Sequence, residues 1–294
     1  MARKKGGGGG RQRARQRAQY DELDKYPVMP PHAFARIVRD KQTLNIIYQI
    51  IEPPLTKKEQ EQRDEIMDIF IRSLTANIEE IDSNPEAYVR TAMDKVIKSY
   101  SMKINKKSKS KLFYYLRRDL IGYGKMDVLM NDVNVEDISL DGTNVPIFAY
   151  HRKFESVETT CVWPTDEELE SYVIKLAQRC GKHISVAEPL LDATLMDGSR
   201  IVMKLGHEIS TRGSAFCIRR FKDDPFSPAD IVAFRTMSSL MVAYLWIAFQ
   251  NEVPMLFVGG TASGKTTTLN AMCIFIPWQM KIVSIESTLS LIHI

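Results

Sequence analysis

Cysteine is scarce in this chain: four in 294 residues. Cys161, Cys180, Cys217 and Cys273 are scattered through apolar or mixed surroundings, and no C-x-x-C pair exists. That argues against a disulfide framework and against a thiolate zinc site, and it points to a reducing, cytoplasmic setting. Histidine is scarce too, and neither His151 nor His183 has a partner at metal-ligand spacing. Long apolar runs are missing. The longest, Leu240 to Phe249, is too short to span a bilayer and reads as a core helix. Charge and glycine, not an apolar stretch, follow Met1, so a secretory leader is not expected. Acidic residues are absent from residues 1–20, which hold Arg3, Lys4, Lys5, Arg11, Arg13, Arg15, Arg17 and the glycines Gly6 to Gly10. With almost nothing to bury, this tail is expected to be disordered. It suits contact with anionic lipid or nucleic acid, or simple solvation.

What remains is an ordinary globular composition, 44% hydrophobic and 26% charged with a net charge of +4. The length allows two domains. The most informative stretch is Val253 to Asn270. Gly259, Gly264, Lys265 and Thr266 match the pattern G-x-x-x-x-G-K-[ST], with Gly260, Thr261, Ala262 and Ser263 between them and Thr267 after. Glycine lets the backbone approach phosphate closely. Successive N–H groups form an anion nest, and a following helix adds its positive end. Lys265 supplies a charge for the β- and γ-phosphates, and Thr266 a hydroxyl for Mg²⁺. A strand over Met255–Val258 and a helix over Thr266–Ile276 complete the expectation.

The pattern from Phe34 to about Ser101 is helical, broken at Glu52-Pro53-Pro54. A capping box at Thr56 and Glu59 follows, and Ile66, Ile69, Phe70, Leu74 and Ile78 recur at helical spacing. Pro85 marks another helix start. Lys103 to Lys111 is a linker or an exposed helix end, read as a solvated charge run. A second region opens near Leu112. It holds a strand over Val135–Leu140, a turn at Asp141-Gly142, a returning strand over Val145–Tyr150, and a helix capped by Thr165 and closed by Gly181. Arg200 follows a turn into a strand. Arg212 precedes Gly213, and Arg219 and Arg220 fall on opposite faces of an apolar strand. Arginine in such places needs an anion, either a phosphate or an ordinary carboxylate. Ser227 and Pro228 open a helix running through Ile231, Phe234, Leu240 and Leu245 towards Asn251.

Several stretches together carry a family resemblance: Glu52-Pro-Pro-Leu-Thr56, Asp119 to Gly124, Val135 to Ser139, Pro146 to Arg152, Asp197-Gly-Ser-Arg200, Arg212 to Phe221, and Gly259 to Thr268. Over roughly residues 45–286 the chain resembles the type II/IV secretion ATPase superfamily. Within it, the archaeal branch that drives archaellum and type IV pilus assembly looks closest. The resemblance implies an α/β fold: a basic tail over 1–20, a helical region over 34–111, an α/β domain over 112–226, and the start of a RecA-like P-loop NTPase domain over 227–288. It implies ATP and Mg²⁺, with Gly259 to Thr267 on the triphosphate and Lys265 and Glu286 catalytic. Arg200, Arg212, Arg219 and Arg220 become candidates to reach phosphate. It further implies a homo-hexamer, cytoplasmic and peripheral at the cytoplasmic membrane, docked on a polytopic platform protein and acting indirectly on pilin-like subunits. Nucleic acid is not expected as a partner.

After Glu286 the family pattern stops: Ser287-Thr288 replace the expected Asp-Thr, and the Walker B strand and histidine box are absent. Residues 289–294 read like an adapter-derived end, so a truncated chain, not competent for turnover by itself, is expected. Two other functions compete. One is an ATP-dependent DNA secretion or translocation motor, suggested by the basic tail but lacking a basic-aromatic stripe. The other is a non-catalytic N-terminal interaction fragment.

Overall fold

The computed structural model describes residues 19–73, 84–220, 226–260, 263–283 and 285. The fold is mixed α/β, and the chain divides into two compact units at Arg220/Phe221. Most of the tail over 1–20, residues Leu74 and Ile78, and the end over 289–294 lie outside the described residues.

The first unit is built on a nine-stranded sheet in the order β1-β2-β3-β6-β5-β4-β9-β8-β7. Its strands are β1 (Tyr20–Met29), β2 (Ala33–Asp40), β3 (Ile46–Ile51), β4 (Val135–Asp141), β5 (Pro146–His151), β6 (Glu155–Val162), β7 (Leu190–Thr194), β8 (Arg200–Lys204) and β9 (Ala215–Arg219). Neighbours run antiparallel except β3 and β6, which pair parallel with Tyr48 opposite Thr159.

The helical reading of residues 34–51 is corrected by β2 and β3. Ala33, Ala35 and Ile37 are buried and alternate with the half-buried Phe34 and Arg36, a period of two. Phe34, Ile37 and Val38 also fit helical spacing. Sheet pairing decides between the two periods, and the β-branched residues of Ile46–Ile51 favour it. The boundary expected between 111 and 112 is likewise corrected, because it falls inside a helix.

Three helices form a bundle: α1 (Lys57–Ser73), α2 (Pro85–Ser99) and α3 (Lys106–Leu120). The capping box starts α1, with the Thr56 amide donating to Glu59 Oε2 at 2.8 Å and the Glu59 amide to Thr56 Oγ1 at 3.3 Å. Asn84 caps α2 and Asn105 caps α3. Ile66, Phe70, Met93, Leu112 and Leu116 fill the bundle. After the short α4 (Asp127–Asn131), α5 (Asp166–Arg179) starts on the Thr165 cap and buries Leu169, Val173, Leu176 and Ala177 with the sheet residues Ile138, Leu140, Ile147, Met203 and Ile218. Trp163, Tyr172 and Phe216 pack edge-on and tilted, with centroids 4.8 to 6.1 Å apart.

Between α4 and β4, the buried Asp132 collects hydrogen bonds from across the sheet. Tyr26 of β1 and Tyr48 of β3 both donate to Oδ2 at 2.6 Å. The Asn134 amide donates to Oδ1 at 2.9 Å. The Lys153 amide donates to His151 Nδ1 at 3.1 Å, which leaves the imidazole proton on Nε2, 3.0 Å from the Tyr26 hydroxyl.

The second unit holds α6 (Pro228–Ala233), α7 (Ser239–Gln250) and α8 (Lys265–Cys273). The single helix expected from Ser227 towards Asn251 is therefore two. The Thr236 amide closes α6 on the Ile231 carbonyl, Arg235 turns into the left-handed region at φ 59°, and Ser238 caps a new start. The strand expected at Met255–Val258 is also corrected: no ladder forms among the described residues there. The alternation survives, since Phe257 packs into a small core with Ile231, Val242, Ala271 and Met272 while Leu256 and Val258 face solvent.

Removing the Asp132 carboxylate strands two tyrosine hydroxyls. Asp132→Ala is expected to cost roughly 3 kcal/mol or more, and Tyr48→Phe about 1 kcal/mol, in urea unfolding. Burial, opposed by Asp132 and Asp24 and aided by Lys153 and Arg152, lowers the His151 pKa. The folded imidazole stays neutral while the unfolded one takes up a proton near pH 6.5. Stability is therefore full above that value and falls as pH drops through it. His151→Gln should flatten the fall in urea midpoint between about pH 7.5 and about pH 5.5; an unchanged slope would remove His151 from the account.

Candidate functional site

The loop before α8 is shaped by its own backbone. Gly264 caps the helix at φ 81°, with open space where a Cβ would stand. The left-handed backbone, not crowding, is what demands glycine there. The loop closes on itself at Gly259, where a Cβ would lie 2.5 Å from Ser263 Oγ. The Lys265 ammonium folds back and donates to the Gly260 carbonyl. Thr266 is exposed, Thr267 half-buried and Thr268 buried, and the Thr268 amide makes the opening helical bond to the Gly264 carbonyl at 2.8 Å. The amides of Lys265, Thr266 and Thr267 thus precede the helical ladder and are open to an anion. Thr261, Ala262 and Glu286 lie outside the described residues.

The donor set suits a polyphosphate: a left-handed glycine, three helix-start amides and one ammonium. The Thr266 hydroxyl suits one position of a Mg²⁺ ion that keeps water and phosphate as its other ligands. Among the described residues no group of three or more His, Cys, Asp or Glu side chains could hold a metal ion.

The four arginines lie in the first unit and do not converge. Arg200 and Arg219 face each other across β8 and β9. Arg200 is held by Asp192 at 2.5 Å, and that contact keeps the Asp192 carboxyl below its usual pKa. Arg219 meets Asp137 at 3.2 Å. Arg220 donates to the Asp132 and Val135 carbonyls, so it serves a turn. Arg212 sits at the other end of the β8–β9 hairpin, roughly 15 Å away along five-residue strands. Its side chain is exposed, with no ion pair among the described residues.

The Arg212 backbone is firmly held. Its carbonyl accepts the Thr143 amide at 3.3 Å. Gly142, at φ 114°, would place a Cβ 2.2 Å from that oxygen. Thr143 Oγ1 donates to Asp166 at 2.8 Å, and His207 Nε2 lies 3.2 Å from the same carboxylate; these bonds, Thr143's first, hold its pKa below the usual range. Sequence reading missed Asp137, Asp192 and Asp166. Only the register of the strands puts them beside their partners.

No family model matches the chain. Curated relatives do. Over 90% of its length the chain is 33% identical to the uncharacterized protein MJ0900 of Methanocaldococcus jannaschii. Over 55% it is 41% identical to the uncharacterized protein MJ1288 of the same organism. The chain spans 47% of the first relative and 65% of the second. Among solved structures, the VirB11 ATPase from the Brucella suis type IV secretion system is similar at 20% identity and a TM-score of 0.33, with 52% of each chain covered.

The loop geometry makes a specific demand. Gly264→Val is expected to cost about 1–2 kcal/mol through its positive φ and to abolish phosphate binding. Gly264→Asn, which tolerates that backbone, should keep part of it. Equal loss in both variants, read by isothermal titration with tripolyphosphate, would mean that the backbone at Gly264 does not set the site.

Proposed function

We propose that the second unit binds ATP with Mg²⁺ and belongs to an ATP-hydrolysing secretion motor. The observation that carries this reading is the loop Gly259–Thr267 feeding α8, with glycine left-handed at its cap and lysine at its first residue. Lys265 would move from the Gly260 carbonyl to the β- and γ-phosphates. The helix-start amides would hold the phosphate oxygens, and Thr266 would meet Mg²⁺. Glu286 is the proposed acidic group for the attacking water.

The stretches that resemble secretion ATPases extend the proposal. The machine would be a homo-hexamer, peripheral at the cytoplasmic face of a membrane. It would drive assembly of archaellum or type IV pilus-like filaments through a polytopic platform protein, with pilin-like subunits as its indirect load. Consistent with a peripheral place, no helix among the described residues is long and apolar enough to cross a membrane. In the first unit, Arg212 is the arginine proposed to meet an anion, because Arg200 and Arg219 already face carboxylates and Arg220 already serves carbonyls.

Equilibrium titration of the chain with a fluorescent ATP analogue and Mg²⁺ tests the core of this. Lys265→Ala removes a charge-assisted contact and should weaken binding roughly ten- to hundredfold. Thr266→Ala should keep magnesium-free binding and lose the gain from Mg²⁺. Unchanged affinity in Lys265→Ala would refute the nucleotide reading.

A further inference from the structure

The helices of the bundle point one end of it at a single chemistry. Ser108 in the first turn of α3 donates to Glu59 in the first turn of α1 at 2.6 Å, and Lys111 lies 3.5 Å from the same carboxylate. These two helices therefore start side by side. Lys109 of α3 meets Asp94 of α2 at 2.6 Å, so α2 runs the other way and ends where α3 begins. One end of the bundle thus gathers the start of α1, the end of α2, the connection after it and the start of α3.

Lys57, Lys58, Lys98, Lys103, Lys106 and Lys107 all lie there, and all are exposed. None has an ion-pair partner among the described residues. Nearby acids are largely committed: Glu59 is buried on Ser108 and the Thr56 amide, and Asp94 is paired with Lys109. Glu61 is the exposed acid closest in sequence. Six unneutralised ammonium groups repel one another, and an anionic surface relieves that repulsion. Tyr100, 58% exposed, caps α2 among them and offers a ring that suits a boundary between water and apolar matter. All six cations are lysines. Compact point charges suit a diffuse array of headgroups, whereas the planar arginine fork is preferred for ordered nucleic-acid contacts.

We infer that this lysine-rich end of the α1–α3 bundle is the face that rests on an anionic lipid surface. The inference deepens the membrane-peripheral placement proposed above and rests on it. It is independent of the arginine-rich tail.

The test is co-sedimentation of the full chain with vesicles of phosphatidylcholine alone and with added phosphatidylglycerol. Four proteins are compared: wild type, a Lys103→Gln/Lys106→Gln/Lys107→Gln variant, a chain lacking residues 1–18, and Lys265→Ala. Circular dichroism checks the fold. Expected are binding only to the anionic vesicles, loss with added salt, and a roughly hundredfold weaker partition for the triple variant. The chain lacking residues 1–18 should keep the lysine-dependent part, and Lys265→Ala should bind vesicles like wild type. Equal partition of wild type and triple variant overturns the lysine face while leaving the membrane placement standing. No binding by any protein overturns both. A lysine-dependent shift of DNA without vesicle binding overturns the lipid assignment in favour of nucleic acid.

Discussion

A carboxylate removed from water must be met by donors, and Asp132 is met by three. Tyr26 and Tyr48 come from strands near the start of the chain, Asn134 from its own turn, and His151 stands behind Tyr26. Arg220, one residue past β9, donates to the Asp132 carbonyl. The side chain and the carbonyl of one residue thus tie together β1, β3, β4 and the chain leaving β9, and Tyr26 extends the network to His151 of β5. The cost of leaving any of these groups unpaired is high in an interior of low polarity. The network therefore specifies one arrangement of the strands, where packing of isoleucines and valines alone would tolerate slippage.

Much of the local structure was legible in the residues. Caps at Thr56, Thr165 and Ser227 are short-range chemistry, and each was read where it forms. The hairpin of β4 and β5 announced itself through Asp141-Gly142. The turn into α8 was legible for the same reason, since its demand for glycine at position 264 is local. What failed was long-range. Residues 34–51 satisfy two periods, and only pairing with β1 and β6 chooses between them. The partners of Arg200 and Arg219 are set by register, which no spacing in sequence reveals. Met255–Val258 has the alternation of a strand without the ladder, because alternation fixes faces and hydrogen bonds fix strands.

The second unit shows what such a segment looks like when its apolar face has few neighbours. α7 buries Val242 and Ala248 yet exposes Leu240, Met241, Tyr244 and Ile247. Trp246 stacks on Phe275 at 5.1 Å, which shields part of that surface. The loop before α8 adjoins this small core, so its geometry depends less on packing than on its own glycines and on the opening bond of α8.

The parallel pairing of β3 with β6 has a kinetic side. β4, β5 and β6 are joined by tight turns and can pair as soon as they collapse. β1, β2 and β3 are likewise a local meander. Bringing the two together closes a loop of about 110 residues, since the Ile50 amide bonds to Thr160, and the α1–α3 bundle lies within that loop. The entropy of closure grows slowly with length, but it must be met before any contact across the seam rewards it. The two meanders are therefore expected to form first and join late, and the bonds from Tyr26 and Tyr48 to Asp132 are made only when the seam closes.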